Sequence, residues 1–172
     1  MVSQKPQAIS GVTADKEAVI MVVYPSIGAT ALGKMLGGLY ESIPTTCCGI
    51  KLSHLLFALP TAPLATAQYF AMKLLGNVYV ITNRSVQTRS SMGNNLIKQV
   101  ALSDVDTVFI RRDPKQVFYK SGDLLLRDKQ GKELLELPGV PYPDVFRQTI
   151  VEAVAARRQV AESMSRIAAR PV

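Results

Sequence analysis

The chain has no tryptophan, one histidine and two cysteines, and only 19% of its 172 residues are charged. Each scarcity excludes something. Cys47 and Cys48 are neighbours, and adjacent cysteines rarely reach ordinary disulfide geometry, so no oxidised framework is expected and a reducing compartment is the simpler reading. With His54 alone, and neither C-x-x-C nor H-E-x-x-H, the chain has almost no ligands for a protein-built zinc site, and no metal or other cofactor is expected. The sequence also lacks G-x-S-x-G, a P-loop and G-x-G-x-x-G. Its acid pairs (Asp104 and Asp106, Asp123 and Asp128, Glu133 and Glu136) fall near turns, where carboxylates serve solubility, so an enzyme is not expected. The first residues, MVSQKPQAISGVTADKE, lack the apolar core of a secretory signal and read as a disordered tail over 1–16.

What the chain has in plenty is apolar surface. Hydrophobic residues make up 48% and the mean hydropathy is +0.16, which suffices for one domain with a modest core and excludes wholesale disorder. Lys plus Arg number 20 against 13 acids, a net +7, which suits an anionic partner. The excess is thin: residues 1–75 hold five Lys and three acids, and 76–172 hold fifteen Lys/Arg and ten acids. There is no basic run with interleaved aromatics, so no nucleic acid is expected, and membrane lipid is the anionic partner that remains.

Three segments organise the chain. Ala18–Tyr24 (AVIMVVY) is a β-branched run stopped by Pro25-Ser26 and reads as a buried strand. Residues 27–44 read as a weak, glycine-rich helix whose Gly33 and Gly37 form a G-x-x-x-G that permits close helix approach. From Leu55 to Met72 there are eighteen residues without a charge, between Lys51 and Lys73. As a helix they would be about 27 Å long, close to a hydrocarbon core of about 30 Å, so Leu55, Leu56, Phe57, Leu59, Pro60, Pro63, Leu64, Tyr69, Phe70 and Met72 are expected to form a membrane segment. The competing reading is a core helix of a soluble protein, favoured by the two prolines, Thr61, Thr66 and Gln68. Pro60 and Pro63 would kink such a helix and free carbonyls that a hydroxyl or a neighbouring helix must satisfy.

After Gly76 the pattern changes to short strands: 78–89, 95–102, 105–112, 116–120, 123–128 and 132–137, separated by turn residues. With 18–24 that makes seven. Phe146, Ile150 and Val154 then recur at helical spacing in an amphipathic C-terminal helix.

Several of these pieces resemble the bacterial pleckstrin-homology-like (PH-like) family of small membrane proteins. They are Tyr24-Pro25-Ser26 after the first strand, the apolar insertion, Tyr79-Val80-Ile81-Thr82-Asn83-Arg84, the stretch from Ile97 to Val108, and Gly139-Val140-Pro141-x-Pro143 before Phe146, together covering residues 17–157. The resemblance implies an α+β, mainly β fold: a seven-stranded antiparallel barrel with a C-terminal helix and an apolar helical hairpin inserted after the first strand. The barrel and helix would take 17–26 plus 77–160, the membrane-associated insertion 27–76, and a helix end and tail 161–172. The first arm of the hairpin departs from the family pattern in being short and glycine-rich, which leaves a shallow hairpin dipping in and out of one leaflet as the alternative to spanning by both arms. Since the first strand must pair with strands after residue 78, the insertion is expected to return to the side it left. Lys73, Arg84, Arg89 and Lys98 place that side in the cytoplasm by the positive-inside bias.

Tyr79, Thr82, Asn83 and Arg84 are candidate ligand contacts, since hydroxyl, amide and guanidinium together can bind a phosphate; the bland reading is a strand with a bulge or turn at Asn83-Arg84. Arg111 and Arg112 are candidate headgroup contacts or a solvated strand end. Arg157, Arg158, Arg166 and Arg170 could meet a bilayer or an acidic partner, or simply suit the helix dipole. Cys47 and Cys48 are acylation candidates or inert thiols, and His54 is expected at the membrane interface. The expected function is a membrane-anchored binding or scaffolding module at the cytoplasmic face, engaging an unidentified protein partner or anionic lipid. The alternative is a soluble PH-like domain whose apolar segment forms an oligomer or complex interface.

Overall fold

The computed structural model describes residues 17–47 and 49–168. The tail expected over 1–16, Cys48, and the last four residues lie outside the described residues. The chain is α+β, with two antiparallel sheets, a helical insertion after the first strand and a C-terminal helix.

The apolar run at the start forms β1 (Val19–Val23), which pairs antiparallel with β4 (Asn77–Thr82). Between them lie α1 (Ala31–Tyr40), a two-residue hairpin of β2 (Thr46–Cys47) and β3 (Ile50–Lys51), and α2 (Leu59–Leu75). Then come β5 (Ser85–Ser90), β6 (Leu96–Ala101), β7 (Thr107–Arg111), β8 (Ser121–Arg127), β9 (Glu133–Pro141) and α3 (Pro143–Ala168). One sheet has the order β1-β4-β5-β6 and the other β7-β8-β9. The strands form two separate ladders rather than one continuous closed sheet. The sheets are nonetheless joined at one corner, where Ser26 N–H donates to the Gly139 carbonyl at 2.8 Å and the Tyr79 hydroxyl donates to the Pro138 carbonyl at 2.9 Å.

The core follows from side-chain alternation. Ile81, Val86 and Val100 stand opposite one another across β4, β5 and β6, while Leu124 faces Leu137 and Leu126 faces Leu135 across β8 and β9. All of them are buried, and Phe146, Ile150, Ala153 and Val154 of α3 close the same cluster. Each fully buried side chain of this size contributes about 1.5–3 kcal/mol.

Three readings of the strands need correction. The run 78–89 is a hairpin, not one strand: Ser85 N–H donates to Thr82 Oγ1 at 2.9 Å and closes a turn at Asn83-Arg84. The run 116–120 is no strand. Asp113 accepts from Lys115 N–H at 3.0 Å and caps a 3-10 turn at Pro114–Gln116, which carries the chain from β7 to β8. These two errors offset, so the two sheets still contain seven strands. Finally, β1 is an edge strand with only one buried face: Met21 and Val23 pack on the core, while Val19, Ile20 and Val22 are exposed.

The insertion is not a symmetric apolar hairpin. Thr30 caps α1 by accepting from Gly33 N–H at 3.0 Å, and α1 then packs onto the segment after Pro114, burying Gly33, Leu36, Gly37 and Tyr40. At ten residues it is about 15 Å long, too short to span, and one face is taken by the domain. The G-x-x-x-G does permit close approach, although to backbone other than the second helix. A Cβ on Gly37 would stand 2.0 Å from the Lys115 carbonyl oxygen, and one on Gly33 1.8 Å from that of Ile27.

Gly37→Ala is therefore expected to lower the unfolding free energy by about 2 kcal/mol through overpacking against fixed backbone. Gly38→Ala, whose Cβ would meet nothing nearer than Lys115 Cγ at 3.7 Å, is expected to raise it by about 0.5–1 kcal/mol. Urea titrations of both variants measure the difference.

Candidate functional site: an outward-facing apolar helix and its support

The apolar segment is helical from His54 to Leu75, 22 residues, opening in a π-helical turn at His54–Ala58. Its residues divide cleanly by direction. A half-buried stripe of His54, Phe57, Ala58, Thr61, Ala65, Gln68 and Met72 recurs at helical spacing and faces the domain. The rest of the helix faces out, including Leu55, Leu56, Leu59, Pro60, Pro63, Leu64, Tyr69, Phe70 and Leu74. Leu59 is 75% and Leu55 64% exposed. The polarity of an ordinary surface helix is thus reversed in part: Thr61 and Gln68 point inward and the leucines outward, although Thr66 and Lys73 are exposed too. Of the ten residues expected in a membrane segment, eight lie on the outward face, while Phe57 and Met72 belong to the inward stripe.

Two inward polar groups, the Gln68 amide N–H and the Thr61 hydroxyl, reach the domain. The Gln68 amide donates to Thr30 Oγ1, the same hydroxyl that caps α1. The Tyr40 hydroxyl lies 2.5 Å from Thr61 Oγ1, which itself donates to the Phe57 carbonyl at 2.6 Å. Tyr40 and His54 each set an edge against the Phe118 ring, with centroids 4.5 and 4.9 Å apart. Glu41 pairs with Lys51 and lies 3.8 Å from His54. At the other end, Lys73 sits over Tyr24 and Tyr69, 5.7 and 5.9 Å from their ring centroids, and its carbonyl accepts from the Ser91 hydroxyl. No acidic residue occurs between Glu41 and Asp104, whereas Lys51, Lys73, Arg84, Arg89 and Lys98 all fall in that stretch.

Beneath α1 lies a buried carboxylate. Asp123, 1% exposed, accepts from the Gln116 amide and the Gly139 N–H at 2.8 Å each and from Arg111 at 3.0 Å, with Lys34 of α1 at 3.6 Å. Gln116 also donates to the Gly28 carbonyl at 3.1 Å, so a single node ties the start of the insertion to both β8 and β9. Burial pushes the Asp123 carboxyl up, but the Gln116 amide, the Gly139 N–H, Arg111 and Lys34 more than reverse this and leave it below its ordinary value.

The expected ligand cluster is divided. Tyr79 is buried in the core with its hydroxyl on Pro138, and burial, aided by Asp123 and Glu136, raises its pKa above the ordinary value. Thr82 lies three residues further along β4, at the Asn83-Arg84 turn. Asn83 Oδ1 accepts from Ala18 N–H at 3.0 Å, and the Arg84 carbonyl accepts from Leu102 N–H at 2.8 Å. The hydroxyls of Thr82 and Ser85, each at 2.6 Å, and the Gln87 amide at 2.9 Å meet one oxygen of Glu17. The Ser85 and Thr82 hydroxyls hold the Glu17 carboxyl below its ordinary value against the opposing effect of burial, with Arg89 and Arg84 adding to them. Arg111 is engaged by Asp123 and Glu136, and Arg112 by Asp144 at 2.7 Å. Arg158 reaches Asp106 at 3.3 Å.

Asp123, Glu17, Gln116 and the reversed polarity of α2 were not found by sequence reasoning. The signal for Asp123 was a lone acid heading a Leu-Leu-Leu strand, where a carboxylate at a turn would have been followed by polar residues. Among the described residues, no three His, Cys, Asp or Glu side chains gather where they could hold a metal ion.

Both Asp123 and Glu17 have depressed folded-state pKa values, so their stabilisation is complete above their unfolded-state values and lost as pH falls through the folded ones. Thermal melts are expected to show stability falling as pH drops below about 4. Asp123→Asn is expected to cost about 2 kcal/mol at pH 7 and to flatten that acid limb; an unchanged limb would clear Asp123 of the role.

No protein-family model, curated protein or solved structure matches the chain, and its function is therefore read from the geometry above.

Proposed function

We propose that the chain is a membrane-attached binding module, a PH-like two-sheet domain held at the cytoplasmic face by α2, where it engages a protein partner or anionic lipid. The observation that carries this reading is the reversed polarity of α2. A soluble monomer turns such a face inward, because each exposed leucine forgoes about 1.5–3 kcal/mol of burial. Here Thr61 and the Gln68 amide N–H are bonded to the domain, while most of the large apolar side chains are left exposed. Lipid supplies the missing burial.

Support for the PH-like part lies in the order of elements. One strand precedes the insertion, six follow it, and a C-terminal helix closes the core between a four-stranded and a three-stranded sheet. The corner bonds tie Ser26, just after β1, and Tyr79 of β4 to Gly139 and Pro138 of β9, on the side where a barrel would close. Support for binding rather than catalysis is that Asp123, the carboxylate set deepest, is occupied by four structural donors. The cytoplasmic face is favoured because its leaflet is the anionic one and the acid-free stretch from 42 to 103 carries only positive charge.

Flotation of the full chain with liposomes tests the proposal. The wild type is expected to rise with the vesicles. A variant carrying Leu55→Ser, Leu59→Ser, Leu64→Ser and Phe70→Ser is expected to bind at least about a hundredfold more weakly with an unchanged melting temperature, since all four side chains are exposed. A wild type that stays in the supernatant without detergent, and sediments as a defined oligomer, would overturn the membrane reading in favour of an interface between copies.

A further inference from the structure

A helix of 22 residues is about 33 Å long, enough to cross a bilayer, and length alone would make α2 a span. Its attachments forbid that. Thr61 is bonded to Tyr40, Gln68 to Thr30, and Lys73 to Tyr24 and Ser91, so about 18 Å of its length lies against one body. Standing α2 along the bilayer normal would carry α1, with Lys34 and Glu41, and the loop at Ser91 into hydrocarbon. Charged side chains there are expensive, and a loop's backbone has no water to bond. Laying α2 flat avoids both costs. Its outward face then meets acyl chains along its full length, while the polar face of a usual interfacial helix is replaced by the domain itself.

The C-terminal end of the helix adds a preference for lipid charge. Tyr24, which stacks under Lys73, also lines a shallow cleft of about 340 Å³ with Val22, Val80, Arg89 and Ser91. Tyr24 thus links two cations where the helix surfaces: Lys73 over its ring and, across the cleft, Arg89, whose Nε donates to the Gln87 side-chain Oε1 at 2.7 Å. The pair suits a phosphate headgroup.

Building on the membrane reading above, we propose that α2 lies flat in a single anionic leaflet, at the boundary of headgroups and acyl chains, with Lys73 and Arg89 beside Tyr24 meeting lipid phosphate. The chain enters and leaves the membrane on one side, and no part of the insertion crosses it.

Depth measurement on the full chain decides the matter. Leu55→Cys, Leu64→Cys and Leu74→Cys, each in a Cys47→Ser, Cys48→Ser background, are labelled with an environment-sensitive fluorophore. They are then bound to vesicles of phosphatidylcholine with about one third phosphatidylglycerol and quenched by lipids spin-labelled at shallow and deep positions. The expected result is one shallow depth at all three sites, about 5–10 Å below the headgroups. Leu64 at the bilayer centre, with Leu55 and Leu74 near opposite surfaces, would overturn the flat orientation and leave membrane attachment standing. Failure of the wild type to bind any vesicle would instead remove attachment, and the orientation with it. Lys73→Ala with Arg89→Ala is expected to weaken binding to anionic vesicles about tenfold and leave binding to phosphatidylcholine vesicles unchanged; equal loss on both would overturn the headgroup contact.

Discussion

The architecture depends on one buried carboxylate. An ion taken out of water is costly unless its lone pairs are filled, and Asp123 fills its own with donors from four parts of the chain: Lys34 of α1, Arg111 of β7, Gln116 of the turn after it, and the Gly139 N–H of β9. Apolar packing such as Tyr40 on Phe118 holds some of those parts together, and the carboxylate ties them all to one point. Gln116 passes the constraint on to Gly28, so the insertion leaves β1 in a fixed direction, and Gly37 lets α1 settle on the Lys115 backbone.

From that base the support runs outward in steps. The sheets hold Asp123, Asp123 and the segment after Pro114 hold α1, and α1 holds α2 through Thr30 and Tyr40. Each step uses polar groups on the inner side of a helix, which leaves the outer side free to be apolar. The average hydropathy of α2 is modest because Thr61 and Gln68 dilute it, yet both are spent on the domain, so the face presented outward is more apolar than the composition of the segment suggests. An average cannot carry direction, and direction is what separates a lipid-facing helix from a core helix.

Much of the fold was legible because it rests on local periodicity. Phe146, Ile150 and Val154 marked the inner stripe of α3, and the turn residues bounding 123–128 and 132–137 marked β8 and β9. Where legibility failed, the deciding contact was distant in sequence. Phe118 and Tyr119 look like strand residues until Tyr40 arrives to pack on Phe118, and the turn at Asn83-Arg84 hides inside β-branched neighbours because Thr82 and Ser85, good strand residues, also supply its hydroxyl bonds. The residues grouped at 79–84 are divided for a simpler reason. Tyr79 and Thr82 stand at different points along one strand, one committed to the core and the other to the hairpin turn.

The amino-acid sequence by itself determined that there would be two kinds of segment, a neutral apolar helix and a set of alternating strands with an amphipathic helix, since both follow from which residues neighbour one another along the chain. It also determined that the acids would be excluded from the whole middle of the protein. Only the tertiary structure decided which side of the apolar helix turns outward, and that one arm of the insertion is buried in the domain while the other keeps a whole face exposed. Those outcomes depend on hydrogen bonds between residues 21 and 38 positions apart, made where a buried polar group must find a partner or lose the energy of its hydration.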